Sequence, residues 1–550
     1  MTPASNEHSA ENAHKRAVED QQKTLLLSIL HAQAGCGYGQ HHRFAEITGT
    51  AEYTRLPLMT YDDVQDFDAY WSTPDNVTVD RISAYFLTSG SSAAPKRIPV
   101  TTTLVRQKAK AFATFWDRVY DDHPALRQGK FIANFGDSGH SERDENNVPQ
   151  MSETTFWNQR MQGFQPKDRW PIPRQLTAIT NAEHRYYAAA RLALQGPLHC
   201  LMSLNPSTLV KFCDVITTHH QSLANGLRSG GWGLDALDAD TTLPTQLTSR
   251  LTVSEDAAAR VRALTPASEN HWQLTDLWAE LELIICWQSE LVAPYLQLLR
   301  RHSADVAFRD YITQSSECIM AIPVRDGQSG GLLAHESHFF EFIPAETQHL
   351  AQPQTLTATQ LVPKSTYELV VTTGGGLYRY RTGDCIRVNH FEQGIPHISF
   401  QYRFGRTSSI TGEKLTEQHV LSALDHPRTE RVLTRRDVLV FPRTGERPHY
   451  AVLVAKDMLK DTTSDVALAD WVSEIHEALG DANGEYQDKC ASLRLGKPVV
   501  LVTDADGIAS LHKRFRAAHV GDDQFKPGIL RRERDLDQYV KVHSVIHAHH

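Results

Sequence analysis

Residues 81–100, RISAYFLTSGSSAAPKRIPV, constrain the fold more than any other segment of the chain. An apolar run predicts a strand, a loop of small polar residues follows, and a second short strand is predicted to begin after Lys96.

The loop carries four hydroxyl groups within five residues, and a lysine follows it: Thr88, Ser89, Gly90, Ser91, Ser92 and then Lys96. Such hydroxyls and backbone amides can donate to phosphate oxygens, while the lysine supplies a positive charge. We therefore predict a polyphosphate site, and the alternative is an ordinary solvated Ser-rich loop. It is not a Walker loop, because Arg97 follows the lysine and no second glycine precedes it.

Composition excludes several classes of protein. The chain has 550 residues with 56 Lys and Arg against 65 Asp and Glu, a formal charge of −9. This length excludes a single small module, and 41% hydrophobic residues exclude a disordered chain. The acidic balance argues against a nucleic-acid coat or a basic membrane binder. We expect neither nucleic acid nor membrane as a partner, and a monomer or loose dimer.

Targeting and redox signals point to the cytoplasm. The apolar run LELIICW is far shorter than the roughly 20 residues that a bilayer requires, and the N-terminus lacks the apolar core of a signal peptide. Seven scattered cysteines without a CxxC pair indicate reduced thiols. The His-rich end HSVIHAHH is weak evidence for a metal site. We predict a cytoplasmic protein.

The residue pattern predicts a large and a small domain. Residues 1–21 are polar and predicted to be flexible, and the small, glycine-flanked segment RFGRTSSITG marks a boundary. The predicted parts are a large domain at 22–403, a hinge at 404–411 and a small α+β domain at 412–550. Helices are predicted over 22–33, 101–121, 208–227 and 271–301, and a β-hairpin with a glycine turn over 367–388.

Two further positions suit a nucleotide. Asp384 follows a glycine at the predicted end of an apolar strand, where its carboxylate could accept hydrogen bonds from both ribose hydroxyls. The alternative is a turn aspartate that caps its own backbone. Phe339 and Phe340 are predicted mainly to pack the core.

Six motifs occur in the order of one family: LPLMTYDDV (56–64), TSGSSAAPK (88–96), YITQSSE (311–317), FFEFIP (339–344), YRYRTGD (378–384) and GEKLTE (412–417). Together they resemble the auxin-responsive acyl acid–amido synthetases of plants and their bacterial relatives, a branch of the adenylate-forming superfamily. The resemblance runs from about residue 22 to residue 526. It implies an α/β fold, with a large adenylate-forming domain of mixed sheets and packed helices and a smaller, mobile α+β C-terminal domain.

The resemblance also implies roles for individual residues. The loop hydroxyls, Gly90 and Ser316 would bind phosphate, Glu317 would bind Mg²⁺, Asp384 would bind the ribose, and Phe340 would line the adenine or acyl pocket. Lys96, Arg403 and Lys526 would be catalytic. Arg403 stands nine positions before Gly412, as the hinge arginine of the superfamily does, although Arg406 competes for that role. Lys526 lies in DDQFKPG, similar to the family's Gln-aromatic-Lys motif.

Two positions depart from the family pattern. Ala93 replaces a usual glycine in the phosphate loop, and Lys526 is followed by Pro527 and Gly528 rather than by Thr-Pro-Arg. The second departure weakens the assignment of Lys526 more than that of ATP binding.

The activity implied by the resemblance is an ATP-dependent amide synthesis. The enzyme would adenylate a carboxylic acid, release pyrophosphate, and transfer the acyl group to an amine such as an amino acid. One alternative passes the acyl group to a thiol of coenzyme A or a carrier protein. Another is a non-catalytic relative that only binds an acyl group or nucleotide.

Overall fold

The chain forms two compact units in the computed structural model. The first comprises Met1–Thr382, Ile386–Phe400 and Val520–Gln524, and the second comprises Gly383–Cys385, Gln401–His519 and Phe525–His550. The structure describes residues 3–61, 63, 76–88, 96–133, 141–161, 169, 173, 175–176, 179, 181–239, 245–264, 272–289, 292–348, 350–403, 407–408, 410–411, 413, 415–425, 427–434, 437–444, 447–491, 495–517 and 528–549. Part of the predicted hinge at 404–411 lies outside this set, so the hinge and the domain boundaries stay predictions.

The first unit alternates helices and short strands. Its α-helices are α1 Pro3–Ala32, α2 Gly37–His41, α3 Thr50–Tyr53, α4 Thr102–Asp122, α5 Glu153–Met161, α6 Ala182–Ala193, α7 Pro206–Ser229, α8 Asp235–Asp238, α9 Thr245–Thr248, α10 Glu255–Arg262, α11 Leu274–Leu277 and α12 Ala293–Arg300. The strands that lie wholly or partly in this unit are β1 Ile82–Thr88, β2 Lys96–Thr101, β3 Phe131–Ala133, β4 Ser141–Arg143, β5 Pro149–Met151, β6 Cys200–Met202, β7 Leu283–Ile285, β8 Ala307–Arg309, β9 Thr313–Gln314, β10 Ile319–Ile322, β11 Gly331–Leu333, β12 Phe339–Pro344, β13 Thr366–Thr372, β14 Tyr380–Glu392 and β15 Ile395–Arg403.

These strands form sheets of different types. One sheet has the order β2-β1-β5-β4, and its central pair β1–β5 is parallel. A second has the order β3-β6-β7-β8 and is parallel throughout. The third has the order β12-β13-β14-β15-β11-β10-β9. Mixed sheets with packed helices confirm the predicted α/β fold class.

The parallel sheet corrects one prediction. The helix predicted over 271–301 is wrong, because Leu283–Ile285 form β7 between the short helices α11 and α12. All three residues of β7 are fully buried. A parallel strand covered on both faces is apolar throughout, so its residues do not alternate and resemble a buried helix.

Helix α1 begins earlier than predicted. The sequence pattern placed its start near Gln22, with a flexible segment before it, whereas the helix starts at Pro3. Within that segment Val18 is only 3% exposed. The Gln22 side chain donates to the carbonyls of His335 and His338 and accepts from the Phe340 amide. The polar composition of residues 1–21 therefore did not indicate the helix, in which Val18 is buried and the Gln22 side chain bonds to a distant backbone.

Helix α4 and the glycine turn between β13 and β14 fit closely together. Thr101 caps the helix by accepting from the Leu104 amide, and the same hydroxyl donates to the Gly374 carbonyl at 2.9 Å. The Gly374 amide in turn donates to Gln107. A Cβ at Gly374 would lie 2.2 Å from Thr103 Cγ2, so a larger residue does not fit there.

The second unit is an α+β fold with its own core. It contains α13 Glu417–Leu424, α14 Pro427–Val432, α15 Asp465–Ala482, α16 Gly484–Ala491 and α17 Gly507–Ala517, with β16 Thr407–Ser408, β17 Leu415–Thr416, β18 Leu439–Arg443, β19 His449–Ala455, β20 Val499–Thr503 and β21 Val542–His547. The last four strands form one sheet in chain order, in which β19 and β20 are parallel. Trp471 and Phe441 are fully buried in the core of this unit.

Of the helices within the described ranges, none combines the length and apolar character that crossing a bilayer requires. All seven cysteines are described and carry free thiols, and six of them are buried.

Candidate active site

The predicted phosphate loop joins two strands that the structure pairs directly. β1 and β2 are antiparallel, and Thr88 lies opposite Lys96 in the ladder. The Lys96 Nζ atom lies 4.9 Å from the centre of the Tyr61 ring, whose hydroxyl accepts from the Arg97 amide at 3.0 Å. The strand–loop–strand prediction is confirmed at both ends. The loop residues Ser89, Gly90, Ser91 and Ser92 lie outside the described residues.

Glu317 is a buried carboxylate in the turn between β9 and β10. Its side chain is 1% exposed, and Ser316 beside it is 7% exposed. Within the described part of the chain, Glu317 Oε1 is buried and has no hydrogen-bond partner. A buried carboxylate oxygen without a partner is costly unless a cation or donor meets it. Oxygen is also the ligand that Mg²⁺ prefers, so Glu317 fits the predicted metal ligand.

The turn that carries Glu317 is fixed by its backbone on both sides. The Ser315 amide donates to the Cys318 carbonyl at 2.9 Å, and the Ile319 amide donates to His338 Nε2 at 3.2 Å. Burial, together with the neighbouring Lys108 ammonium, lowers the pKa of His338 to about 3. A neutral imidazole is therefore the acceptor at this turn over the physiological pH range.

Asp384 and Arg403 are brought together within the second unit. Arg403 Nη1 lies 3.9 Å from Asp384 Oδ1, and the Asp384 side chain is 2% exposed. Asp384 does not follow the end of a strand, as predicted, but is the fifth residue of β14. The preceding Gly383 has a φ of 75°, a turn-like conformation that the strand accommodates. Arg406, the competing hinge arginine, lies outside the described residues.

The YRYR part of the YRYRTGD motif is held by a buried ion pair. Arg379 Nη2 donates to Glu341 Oε1 at 2.7 Å, and both side chains are at most 5% exposed. The same guanidinium donates to the carbonyls of Thr54 and Leu56 and to Thr355 Oγ1. Arg379 thus connects the FFEFIP strand to the start of the LPLMTYDDV motif, through Thr54 and Leu56. Neither Arg379 nor Glu341 was among the predicted site residues.

A second ion pair supports the same motif. Arg381 Nη2 donates to Glu368 Oε2 at 2.6 Å, and the Glu368 side chain is 1% exposed. The Arg381 amide also donates to the Met59 carbonyl at 2.7 Å. Both arginines of YRYR therefore serve to hold the motif in place.

Phe340 is a core residue. It is 1% exposed and belongs to one of the two large apolar clusters of the first unit, and Phe339, at 2%, packs in a separate cluster beside α1. The prediction that these residues pack the core is confirmed. A contact of Phe340 with adenine or an acyl group stays a prediction.

The GEKLTE motif fixes the backbone of the second unit. Glu413 accepts from the Tyr450 hydroxyl at 2.5 Å and from the Ile410 amide at 2.7 Å. Glu417 accepts at 2.7 Å from the amide of Ile529, which lies three residues after Lys526 in the sequence. Lys526 itself lies outside the described residues, so its role stays a prediction.

The predicted site residues thus fall into three groups. Thr88, Lys96, Ser316, Glu317 and Phe340 lie in the first unit, and Asp384 and Arg403 pair in the second. The loop residues 89–92 and Lys526 are not described.

The sequence analysis missed Lys108, which donates to the Ser315 carbonyl. The sequence carried one sign that this lysine is buried. Its position falls on the apolar side of α4, at helical spacing from the buried residues Leu104, Ala111, Phe115 and Val119.

The fold is that of an acyl acid amido synthetase. The chain superposes on the structure described as AtGH3.15 acyl acid amido synthetase in complex with 2,4-DB, with a TM-score of 0.83. The match covers 98% of this chain and 96% of that chain at 20% sequence identity.

Sequence profiles then show the family. Residues 8–308 match the GH3 family N-terminal domain, and residues 331–403 match the GH3 family central domain. This chain belongs to the GH3 family, which confirms the resemblance drawn from the motifs. The indole-3-acetic acid-amido synthetase GH3.15 of Arabidopsis thaliana is 23% identical over 75% of this chain and 72% of its own length. GH3.3 of the same plant, also an indole-3-acetic acid-amido synthetase, is 21% identical over 88% of this chain and 84% of its own length.

Proposed function

We propose that this protein is an ATP-dependent acyl acid–amido synthetase. The observation that carries the proposal is membership of the GH3 family, whose profiles match residues 8–308 and 331–403. The relatives named above are amido synthetases, and the buried oxygen of Glu317, which has no partner among the described residues, supports a cation-dependent site in this chain.

The reaction has two steps. A carboxylate is a poor acyl electrophile because its leaving group would be oxide. In the first step a carboxylate oxygen attacks the α-phosphorus of ATP, the bond to the β-phosphate breaks, and pyrophosphate leaves. In the second step the nitrogen of an amine attacks the acyl carbon of the adenylate. The amine loses a proton, AMP leaves with the bonding electron pair, and an amide remains.

The main obstacle in the first step is charge, because an anionic acid approaches an anionic triphosphate. We assign Thr88, Ser89, Gly90, Ser91, Ser92 and Ser316 to the phosphates, as donors that offset this repulsion. Lys96 adds a positive charge at the end of the same loop. Glu317 would hold Mg²⁺, which neutralises phosphate charge when bound.

We assign Asp384 to the ribose hydroxyls. Arg403 lies 3.9 Å from Asp384 and is assigned to the same part of the site. Lys526 is assigned to the acyl carboxylate and the α-phosphate. Phe340 completes the proposed nucleotide-binding residues as a wall of the pocket.

The substrates follow from the reaction class. The acid is a carboxylic acid, since the relatives act on indole-3-acetic acid by name and the superposed structure contains 2,4-DB. The acceptor is an amine such as an amino acid, because the relatives are amido synthetases. A thiol acceptor is the competing outcome.

The test is ATP–pyrophosphate exchange with a panel of carboxylic acids. We expect exchange that requires an acid, and we expect Lys96→Ala/Asp384→Ala to lower it by about 10²-fold or more. Lys110→Ala is the matched control, because Lys110 makes an ion pair with Glu336 at the surface. Undiminished exchange in the double variant would contradict the assignment.

The acceptor is tested with the best acid by measuring AMP release. Amino acids, other amines, coenzyme A and a thiol-bearing carrier are supplied one at a time. AMP release that increases with an amine supports amide synthesis, and release that increases only with a thiol refutes it. ATP binding without either step would indicate a non-catalytic relative.

A further inference from the structure

We propose that Lys108 is a positioning residue for the nucleotide site, and that it acts by holding the turn that presents Glu317. The proposal rests on the proposed function, in which Glu317 is the Mg²⁺ ligand. Lys108 touches neither reactant in this proposal. It acts through the backbone of Ser315.

The contacts of Lys108 are few and directed. Its side chain is 1% exposed, and Nζ donates to Glu153 Oε1 at 2.7 Å and to the Ser315 carbonyl at 2.8 Å. Because Glu317 is two residues beyond Ser315, this second bond fixes the start of the Glu317 turn. A charge-assisted hydrogen bond to a carbonyl is stronger than a neutral one, so it suits this purpose.

Glu153 connects the Lys108 ammonium group to β1, the strand that leads into the phosphate loop. It is the first residue of α5, two residues after Met151 of β5, and Met151 pairs with Phe86 of β1. Lys108 Nζ also lies 5.5 Å from the centre of the Phe86 ring. A single ammonium group therefore connects the Glu317 turn to the β1–β5 pair, from which the phosphate loop extends at Thr88.

The Glu153 carboxylate is itself oriented by a second donor. Trp157 Nε1, one helical turn further along α5, donates to the same Oε1 atom at 3.0 Å. The chain Trp157–Glu153–Lys108–Ser315 thus ends at the turn whose carboxylate oxygen lacks a partner within the described residues. Networks of this kind, in which outer groups orient a metal ligand, are typical of metal sites.

Stability alone does not account for the pair. Replacing a buried ion pair by apolar residues of similar volume is often neutral or stabilising, because removing both charges from water is costly. An apolar residue at position 108 would also continue the stripe of α4. What a lysine contributes at this position is the hydrogen bond to the Ser315 carbonyl, which no apolar side chain can make.

The variants are chosen to isolate that bond. Lys108→Met alone would leave the Glu153 carboxylate buried and unpaired, and could unfold the chain. Lys108→Met/Glu153→Gln removes both charges and loses the bond to Ser315. Glu153→Gln alone leaves the Lys108 ammonium without its counter-charge but keeps an oxygen that accepts from it, so the bond to Ser315 remains wherever this variant folds. Lys110→Met is the matched control on the same helix, since its partner Glu336 is 48% exposed.

The readout is ATP binding by isothermal titration calorimetry over a series of Mg²⁺ concentrations, with thermal unfolding to verify each fold. We expect Lys108→Met/Glu153→Gln to need about 10- to 100-fold more Mg²⁺ than Glu153→Gln to reach the same ATP affinity. We expect an unchanged KM for the carboxylic acid in the exchange assay. Lys110→Met should match the wild type.

Two results would overturn the proposal, and they are distinguishable. If the folded double variant and Glu153→Gln have the same Mg²⁺ dependence while the wild type binds ATP with Mg²⁺, Lys108 does not position Glu317. If the wild-type chain binds no ATP with Mg²⁺, the proposed nucleotide site itself is refuted, and this role with it.

Discussion

Replacing Arg379 by methionine should lower the free energy of unfolding by about 3–5 kcal/mol, because it breaks a buried ion pair and leaves Glu341 uncompensated. The Glu341 side chain is 1% exposed and receives three of the guanidinium's hydrogen bonds. Thr355 Oγ1 still donates to Glu341 Oε1 at 2.6 Å in the variant, which favours the lower half of the range. The carbonyls of Thr54 and Leu56, which also lose a donor, are only partly buried.

The assay is equilibrium unfolding in urea followed by tryptophan fluorescence. The matched control is Arg325→Met, whose partner Glu392 is 3.1 Å away, with side-chain exposures of 56% and 32%. An exposed pair of this kind contributes about 0–1 kcal/mol. Arg379→Met/Glu341→Gln should recover part of the loss, because no buried charge is left. The reasoning is refuted if Arg379→Met costs no more than Arg325→Met.

Three other outcomes are expected. The pKa of His338 is lowered to about 3 from 6.5 by burial, so only the unfolded chain takes up its proton between these values. Stability is therefore lost as pH falls through 6.5, and His338→Gln should make the loss between pH 7 and 5 about 2 kcal/mol smaller in urea titrations. Gly330→Ala should lower the free energy of unfolding far more than Gly327→Ala in the same assay. Both glycines have positive φ, but only an alanine at 330 would place its Cβ 2.2 Å from the Ile398 carbonyl oxygen. Equal losses of unfolding free energy in the two variants would contradict this. Glu317→Gln should lower acid-dependent pyrophosphate exchange by about 10²-fold without changing the urea midpoint, and unchanged exchange would exclude Glu317 as the metal ligand.

Short-range patterns predicted much of the fold. The β1–β2 hairpin around the Ser-rich loop and the two strands beside Gly374 were predicted because a few neighbouring residues determine each turn. The predictions failed where distant residues decide the structure. β7 is apolar on both sides because it lies in the middle of a parallel sheet, and helix α1 makes contacts with residues more than 300 positions away, such as that of Gln22 with His335.

The candidate site was predicted by motif rather than by geometry. Glu317 could be named because it ends a recognisable motif, and the structure adds that its carboxylate is buried. Lys108 was not named, although it occupies the apolar stripe of α4, because the partner that makes its burial possible, Glu153, is 45 residues away. Asp384 was assigned to the wrong place in its strand because a glycine usually signals a turn, whereas β14 continues through Gly383.

The contact between helix α1 and strand β12 has a consequence for synthesis. Gln22 and His335 are separated by 313 positions. At roughly 5–20 residues per second, roughly 15–60 s pass on the ribosome before the partner of Gln22 has been made. During that time the apolar side of α1, which includes the fully buried Leu26 and Leu30, can pack only on nearby residues such as Phe44 and Tyr53 and lacks its later partner Phe339. We expect nascent chains to recruit chaperones at this helix, and to release them once β12 has emerged.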